Sequence, residues 1–131
     1  MSDAVGGWVV SDKRMVLFVC PHGAAKSRIA AAFFNRVAPE GWMALSAGVE
    51  PQETVGLNAI RLLKGTDAEA LLDLESPRPV AAVPLPDRIV AIDCDVPNGE
   101  RWDLLHQEFE APMREELRSR AEALAREVGS G

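Results

Sequence analysis

Residues Met15 to Val19 form a short, unbroken apolar run that is rich in β-branched and aromatic residues. Such a run is typical of a strand buried on both faces, as in a parallel sheet. The stretch Cys-Pro-His-Gly-Ala-Ala-Lys-Ser follows it, and from Arg28 to Val37 Ala, Ile and Phe recur at helical spacing. The sequence therefore predicts a strand, a tight loop and a helix, in that order.

The rest of the chain continues this alternation. Pro39 and Gly41 end the first helix, and four prolines between Ser76 and Asp87 predict an extended connection. The further predicted strands span residues 42–46, 88–92 and 101–104. The further predicted helices span residues 54–64 (capped by Thr54 and ended at Gly65), 66–74 and 112–128. This order predicts an α/β three-layer sandwich in which helices flank a four-stranded parallel sheet.

Length and charge limit what such a chain can be. With 131 residues we expect one domain over residues 14–131, preceded by a flexible tail at residues 1–13. A net charge of −6 disfavours nucleic-acid binding through bulk charge, so any small anion must be bound by local geometry. No apolar run is long enough for a membrane span and the first residues lack a signal-peptide core, so we expect a cytoplasmic protein without membrane contact.

The cysteines and histidines are too few and too scattered for a metal site. Cys20 and Cys94 form no CxxC pair, and His22 and His106 lie far apart in the sequence. We therefore expect neither a bound metal nor a cofactor.

Residues Cys20–Ser27, named here the Cys20 loop, have the features of an anion-binding loop. Free backbone N–H groups where a strand leads into a helix can converge on an anion, helped by the helix dipole. Gly23 permits a left-handed backbone conformation. A cysteine that faces a helix N-terminus and Lys26 is favoured as the thiolate. The alternative is a buried, inert Cys20 beside small residues chosen for packing.

At this point the sequence resembles the low-molecular-weight protein tyrosine phosphatases and the arsenate reductases of the same fold. Their loop follows the pattern Cys-x5-Arg-Ser/Thr after a buried strand. The matching residues here run from Val16 to Ser27, and the stretch from Ser46 to Pro51 is similar to the family's Ser-Ala-Gly-Thr-x-Pro. The resemblance covers about residues 15–128.

The resemblance implies roles for the loop residues. Cys20 would attack the phosphorus or arsenic of a tetrahedral oxyanion, and Ser27 would donate a hydrogen bond to its thiolate. The residues that would bind the oxyanion are Pro21, His22, Gly23, Ala24, Ala25 and Lys26. Lys26 replaces the family's arginine, so a point charge replaces a planar, two-pronged donor. Gly23 replaces the family's loop asparagine.

The resemblance also implies a proton donor and a second thiol. No Asp-Pro pair, the family's usual general acid, occurs in this chain. Counting from Trp102 as in the related reductases puts His106 at the position of that acid. The rival donors in the same segment are Asp103, Glu108 and Glu110, and a surface histidine is the alternative reading of His106. Cys94 follows the third strand, where thiol-coupled reductases place a resolving cysteine; a packing role is the alternative.

Three functions remain open on these residues. The first is hydrolysis of phosphomonoesters through Cys20. The second is arsenate reduction, in which Cys94 or a small thiol reductant resolves the attacking cysteine. The third is a catalytically degenerate protein that binds an oxyanion or a phosphopeptide.

Overall fold

The computed structural model describes residues 13–130, so the predicted tail lies outside the described residues except for Lys13. This part of the chain forms four strands and three α-helices. The strands are β1 (Arg14–Cys20), β2 (Trp42–Gly48), β3 (Arg88–Ile92) and β4 (Glu100–Trp102). The helices are α1 (Lys26–Val37), α2 (Leu57–Leu63) and α3 (Ala111–Ser130).

All strand pairs are parallel and the sheet order is β2-β1-β3-β4, which confirms the predicted four-stranded parallel sheet. β1 lies between β2 and β3, and its apolar residues Val16–Val19 are fully buried. Residues of all three helices join one large cluster with Val16 and Phe18. Leu17 and Val19 face the other side, where a smaller cluster includes Val83 of the proline-rich segment. The third layer is therefore a connection with a 3-10 turn at Val80–Ala82, not an α-helix.

The second helix begins later than predicted. Gly56, not Thr54, precedes its first residue, and no side chain among the described residues caps it. The segment before it is held against the Cys20 loop, since Gln52 N–H donates to His22 O at 3.1 Å and Gly56 N–H to Ala24 O at 2.9 Å. These backbone bonds keep residues 52–56 out of a helix.

The predicted helix over residues 66–74 is also wrong, because only a 3-10 turn forms at Glu69–Leu71. The chain is extended at Leu72, and the next residue, Asp73, meets Arg28 of α1. The second strand runs two residues further than the predicted range of 42–46, to Gly48, which pairs with Cys20. The fourth strand ends at Trp102, because Leu104 N–H already bonds the Asp93 side chain.

Within residues 13–130 no helix is long and apolar enough to cross a membrane. The arrangement places the end of the central strand, Cys20, between the ends of β2 and β3. Open parallel sheets bind their ligands beyond this edge.

Candidate functional site

The carbonyl groups of the Cys20 loop all face the surrounding protein. Each of the six from Cys20 to Ala25 accepts a hydrogen bond of 2.8–3.1 Å. The donors, in loop order, are the N–H groups of Val49, Glu50 and Gln52, the Arg28 side chain, and the N–H groups of Gly56 and Ile29. The N–H groups of residues 22–27 have no protein acceptor among residues 13–130. A loop with its carbonyls bound outward and its N–H groups free is suited to an anion.

Two glycines allow this loop to lie against the end of β2. Gly23 has a φ of +64°, and a Cβ there would lie 2.7 Å from Gly48 N. A Cβ on Gly48 would lie 2.5 Å from the carbonyl carbon of His22. Neither position has space for a side chain. This explains why the Ser-Ala-Gly stretch ends in glycine at position 48.

Cys20 and Ser27 meet inside the loop, as predicted. Cys20 Sγ and Ser27 Oγ are 3.1 Å apart, and both residues are buried. When Cys20 is a thiolate, the hydroxyl of Ser27 is the donor. The hydroxyl can therefore stabilise the thiolate before attack and again when sulfur is the leaving group.

Lys26 is engaged by an acid that the sequence did not single out. Its Nζ lies 2.8 Å from Asp93 Oδ2, with both side chains mostly buried. Asp93 follows β3 with a φ of 55°, and its carboxylate also accepts bonds from Leu104 N–H (3.0 Å) and Gln107 Nε2 (3.1 Å). Burial raises the pKa of Asp93, but the bonds from Lys26, Leu104 and Gln107 outweigh it and leave the pKa below its usual value. The loop lysine thus rests in an ion pair.

A cavity of about 580 Å³ is lined by Cys20. Of the predicted binding residues, all but Gly23 line it. The other lining residues are Gln52, Gly56, Leu57, Asn58 and Phe109. These five were not predicted. Their positions just beyond β2 or within the loop before α3 are the feature of the sequence that could have indicated them. Besides Lys26, the walls carry apolar and neutral polar side chains, and within residues 13–130 no carboxylate lines the cavity.

The predicted proton donors do not line this cavity. Asp103 accepts a bond from Arg101 at 2.6 Å. Glu110 lies 3.9 Å from an Arg61 nitrogen. His106 is exposed and its backbone N–H is bound by Glu116. Glu108 is exposed as well.

His22 is the imidazole that does line the cavity. Its Nδ1 lies 3.3 Å from the carbonyl oxygen of Glu50, so this nitrogen carries a proton when the bond forms. The other ring nitrogen is then the one available for proton transfer. Sequence reasoning gave His22 a binding role only.

Cys94 packs on the opposite face of the sheet from Cys20. Cys20 belongs to the cluster beneath the helices, whereas Cys94 packs with the cluster around Val19, whose carbonyl lies 3.6 Å from its sulfur. Burial raises the pKa of the Cys94 thiol, and the negative charge of Cys20 raises it further. Both thiols are free. The two cysteines pack in different clusters, and a role of Cys94 as the redox partner of Cys20 stays a prediction.

Comparison with known proteins identifies relatives among solved structures. An arsenate reductase from Archaeoglobus fulgidus is 32% identical, with a TM-score of 0.65 over 84% of this chain and 98% of that one. A low-molecular-weight protein tyrosine phosphatase from T. tengcongensis has a TM-score of 0.64 at 20% identity, over 88% and 99% of the chains. An arginine phosphatase from Geobacillus stearothermophilus reaches 0.67 at 19% identity, over 89% and 94%.

The second and third likenesses speak for the fold alone. No protein-family model and no curated protein sequence matches the chain.

Proposed function

The chain belongs to the family of low-molecular-weight protein tyrosine phosphatases and the arsenate reductases of the same fold, and on that premise we propose that it hydrolyses phosphomonoesters through Cys20. One observation carries this proposal. Cys20 lies in a loop in which the carbonyls of residues 20–25 are all bound to protein donors, and it lines a cavity of about 580 Å³ whose walls carry Lys26 and otherwise apolar and neutral polar side chains. A cavity of this size holds the organic group of an ester.

The reaction proceeds in two displacements. The Cys20 thiolate attacks phosphorus, the bond from phosphorus to the ester oxygen breaks, and the phosphoryl group stays on sulfur. Water then attacks phosphorus and releases inorganic phosphate and the thiolate, which the Ser27 hydroxyl stabilises. The free N–H groups of the loop bind the phosphoryl oxygens throughout, where negative charge develops.

The departing ester oxygen needs a proton in the first step. We assign this transfer to His22, because it lines the cavity and one ring nitrogen is bound to the Glu50 carbonyl. Charge for the oxyanion comes from Lys26, which exchanges part of its bond with Asp93 for one with the substrate. A lysine holds the transition state less firmly than a two-pronged arginine, so we expect modest rates.

The proposal is tested with p-nitrophenyl phosphate and fully reduced protein. We expect release of p-nitrophenol by the wild type, a loss of at least about a thousandfold in Cys20→Ser, and little change in the matched variant Cys94→Ser. Rapid acid quenching should trap a phosphoryl group on Cys20. If reduced wild type binds phosphate but turns over no phosphomonoester, hydrolysis is excluded.

Arsenate reduction is the second candidate, favoured by the 32% identical reductase and by the lack of a carboxylate in the cavity. Cys20 displaces one oxygen of arsenate as water and forms a sulfur–arsenic bond. An external thiol then attacks the Cys20 sulfur and forms a mixed disulfide, and the bond electrons leave with arsenic as arsenite. A second thiol regenerates Cys20, so two thiols are oxidised for each arsenic reduced. We assign the resolving step to an external thiol because Cys94 packs with the cluster on the other face of the sheet.

The two candidates separate in one experiment. Arsenate-dependent oxidation of glutathione or of thioredoxin, measured through a coupled nicotinamide reductase, supports the second and is absent for a pure phosphatase. If calorimetry shows phosphate binding but neither phosphomonoester hydrolysis nor arsenate reduction occurs, the result supports a catalytically degenerate oxyanion-binding protein instead.

A further inference from the structure

One loop carbonyl differs from the other five in how it is held. Gly23 O accepts its bond from a side chain, Arg28 Nε at 2.8 Å, whereas backbone N–H groups hold the rest. Arg28 is only 1% exposed, so this carbonyl points into the protein interior. It is also the one loop bond that a substitution can remove without changing the backbone.

The peptide that carries Gly23 O also carries the N–H of Ala24. In a trans peptide these two groups point in opposite directions, so a carbonyl fixed toward the interior turns the Ala24 N–H the other way. Ala24 lines the cavity beside Cys20, and its N–H has no protein acceptor among residues 13–130. Gly23 has a φ of +64°, a conformation that glycine adopts without strain but shares with others of similar energy. The loop alone therefore does not hold this peptide in one orientation.

We infer that Arg28 is a positioning residue of the oxyanion site: it holds the Gly23–Ala24 peptide so that the Ala24 N–H faces the bound oxyanion. This rests on the proposed function in so far as the loop binds an oxyanion. Without Arg28 the peptide can turn over, and the carbonyl of Gly23 would then face the anion and repel it.

Arg28 is held in place by the segment after the 3-10 turn. Its Nη1 donates to the carbonyl of Asp73 and lies 3.9 Å from the carboxylate, and Asp73 also binds Arg78 at 2.8 Å. Arg78 in turn donates to Ser46 O at 2.8 Å. The remaining nitrogen of Arg28, Nη2, is buried without a partner among residues 13–130, and Arg28 does not line the cavity. Arg28 therefore acts through the peptide and does not replace the arginine missing at position 26.

The test is binding of inorganic phosphate by calorimetry to wild type, Arg28→Met and Arg28→Lys. The matched control is Arg36→Met, at a half-exposed arginine on the same helix. We expect the dissociation constant to rise about tenfold or more in Arg28→Met, the equivalent of about 1.4 kcal/mol. Arg28→Lys should recover part of the affinity, because its ammonium group can still donate to Gly23 O. Arg36→Met should bind as the wild type does.

An amide resonance gives a readout that general destabilisation does not mimic. In wild type, saturation with phosphate should shift the Ala24 amide proton downfield, and folded Arg28→Met should lose that shift. Wild-type affinity in folded Arg28→Met, or no Ala24 shift in a wild type that binds phosphate, overturns the inference while leaving the proposed function intact. If Arg28→Met fails to fold, the inference is tested by the phosphate affinity of Arg28→Lys and by the Ala24 amide shift of the wild type. A wild type that binds no phosphate refutes the proposed function and this inference with it.

Discussion

Lys26 Nζ and Asp93 Oδ2 lie 2.8 Å apart, so the one charged side chain that projects from the Cys20 loop is neutralised before any oxyanion arrives. The pair joins the start of α1 to the end of β3. A dianionic substrate must compete with Asp93 for the lysine. If the loop binds an oxyanion as proposed, this competition and the loop's free N–H groups determine how tightly the ligand is held.

Asp93→Asn should lower the free energy of unfolding at neutral pH by about 2 kcal/mol, because charge-assisted hydrogen bonds to Asp93 are lost. The folded-state pKa of Asp93 is depressed, so the stabilisation is fully present above the usual value of 3.8 and is lost as the pH falls through the folded-state pKa. Urea unfolding of wild type and variant should show a difference at pH 7 that narrows below pH 3.8. The control is Asp95→Asn, at an exposed pair with Arg101, where we expect a much smaller difference because solvent screens the two charges. A constant difference at all pH values would contradict the assignment.

Asp93→Asn should also tighten phosphate binding by about threefold to tenfold, since the charge of Lys26 is no longer neutralised. The gain should shrink at high salt. Phosphate titration by calorimetry at two ionic strengths checks this. Weaker binding in the folded variant would mean that Asp93 orients Lys26 toward the ligand.

His22→Gln should reduce kcat/KM by about a hundredfold or more for an ester with a poor leaving group, such as phenyl phosphate. The loss should be smaller for p-nitrophenyl phosphate, whose leaving group needs less help from an acid. His106→Gln is the matched control, because it makes the same change outside the cavity. If His106→Gln loses activity and His22→Gln does not, the proton donor is His106, as the sequence resemblance implies.

Cys94→Ala should leave both phosphate release and arsenate reduction with an external thiol within about twofold of wild type. The reason is that Cys94 packs on the far face of the sheet and burial raises its pKa, so little thiolate forms at neutral pH. Parallel assays of the two activities check the expectation. Loss of arsenate reduction alone would identify Cys94 as the resolving thiol.

Gly48→Ala should destabilise the protein by about 3 kcal/mol or more and abolish phosphate binding, because its Cβ would lie 2.5 Å from the backbone of His22. Gly41→Ala is the control: its Cβ would meet nothing within 4 Å, and only its φ of +88° opposes the change. We expect about 1 kcal/mol there. Thermal unfolding and phosphate titration measure both effects. Normal binding in Gly48→Ala would show that the loop can shift to accommodate a side chain.

Local sequence patterns were sufficient to predict the first strand and the last helix of this protein. The apolar run before Cys20 is too uniform for anything but a strand buried on both faces, and the charged Ala- and Leu-rich pattern near the chain end specifies a helix. Both predictions depend on local patterns, an unbroken apolar run in one case and helical spacing in the other, which neighbouring residues determine. Two predictions are wrong for a tertiary reason: the start of the second helix and the helix over residues 66–74. Their backbones and side chains bond to the Cys20 loop and to Arg28, and those partners outweigh local helix propensity.

The sequence by itself determined where the Cys20 loop lies, because a loop between a buried strand and the following helix falls at the carboxyl edge of a parallel sheet. It also put Ser27 beside Cys20, since both belong to one short loop. Only the tertiary structure decided which residues surround that loop. Asp93, Arg28 and His22 acquire their roles from contacts that depend on how the strand ends and the loops after them converge. No local pattern encodes such contacts, because the partners lie up to 67 residues apart in the sequence.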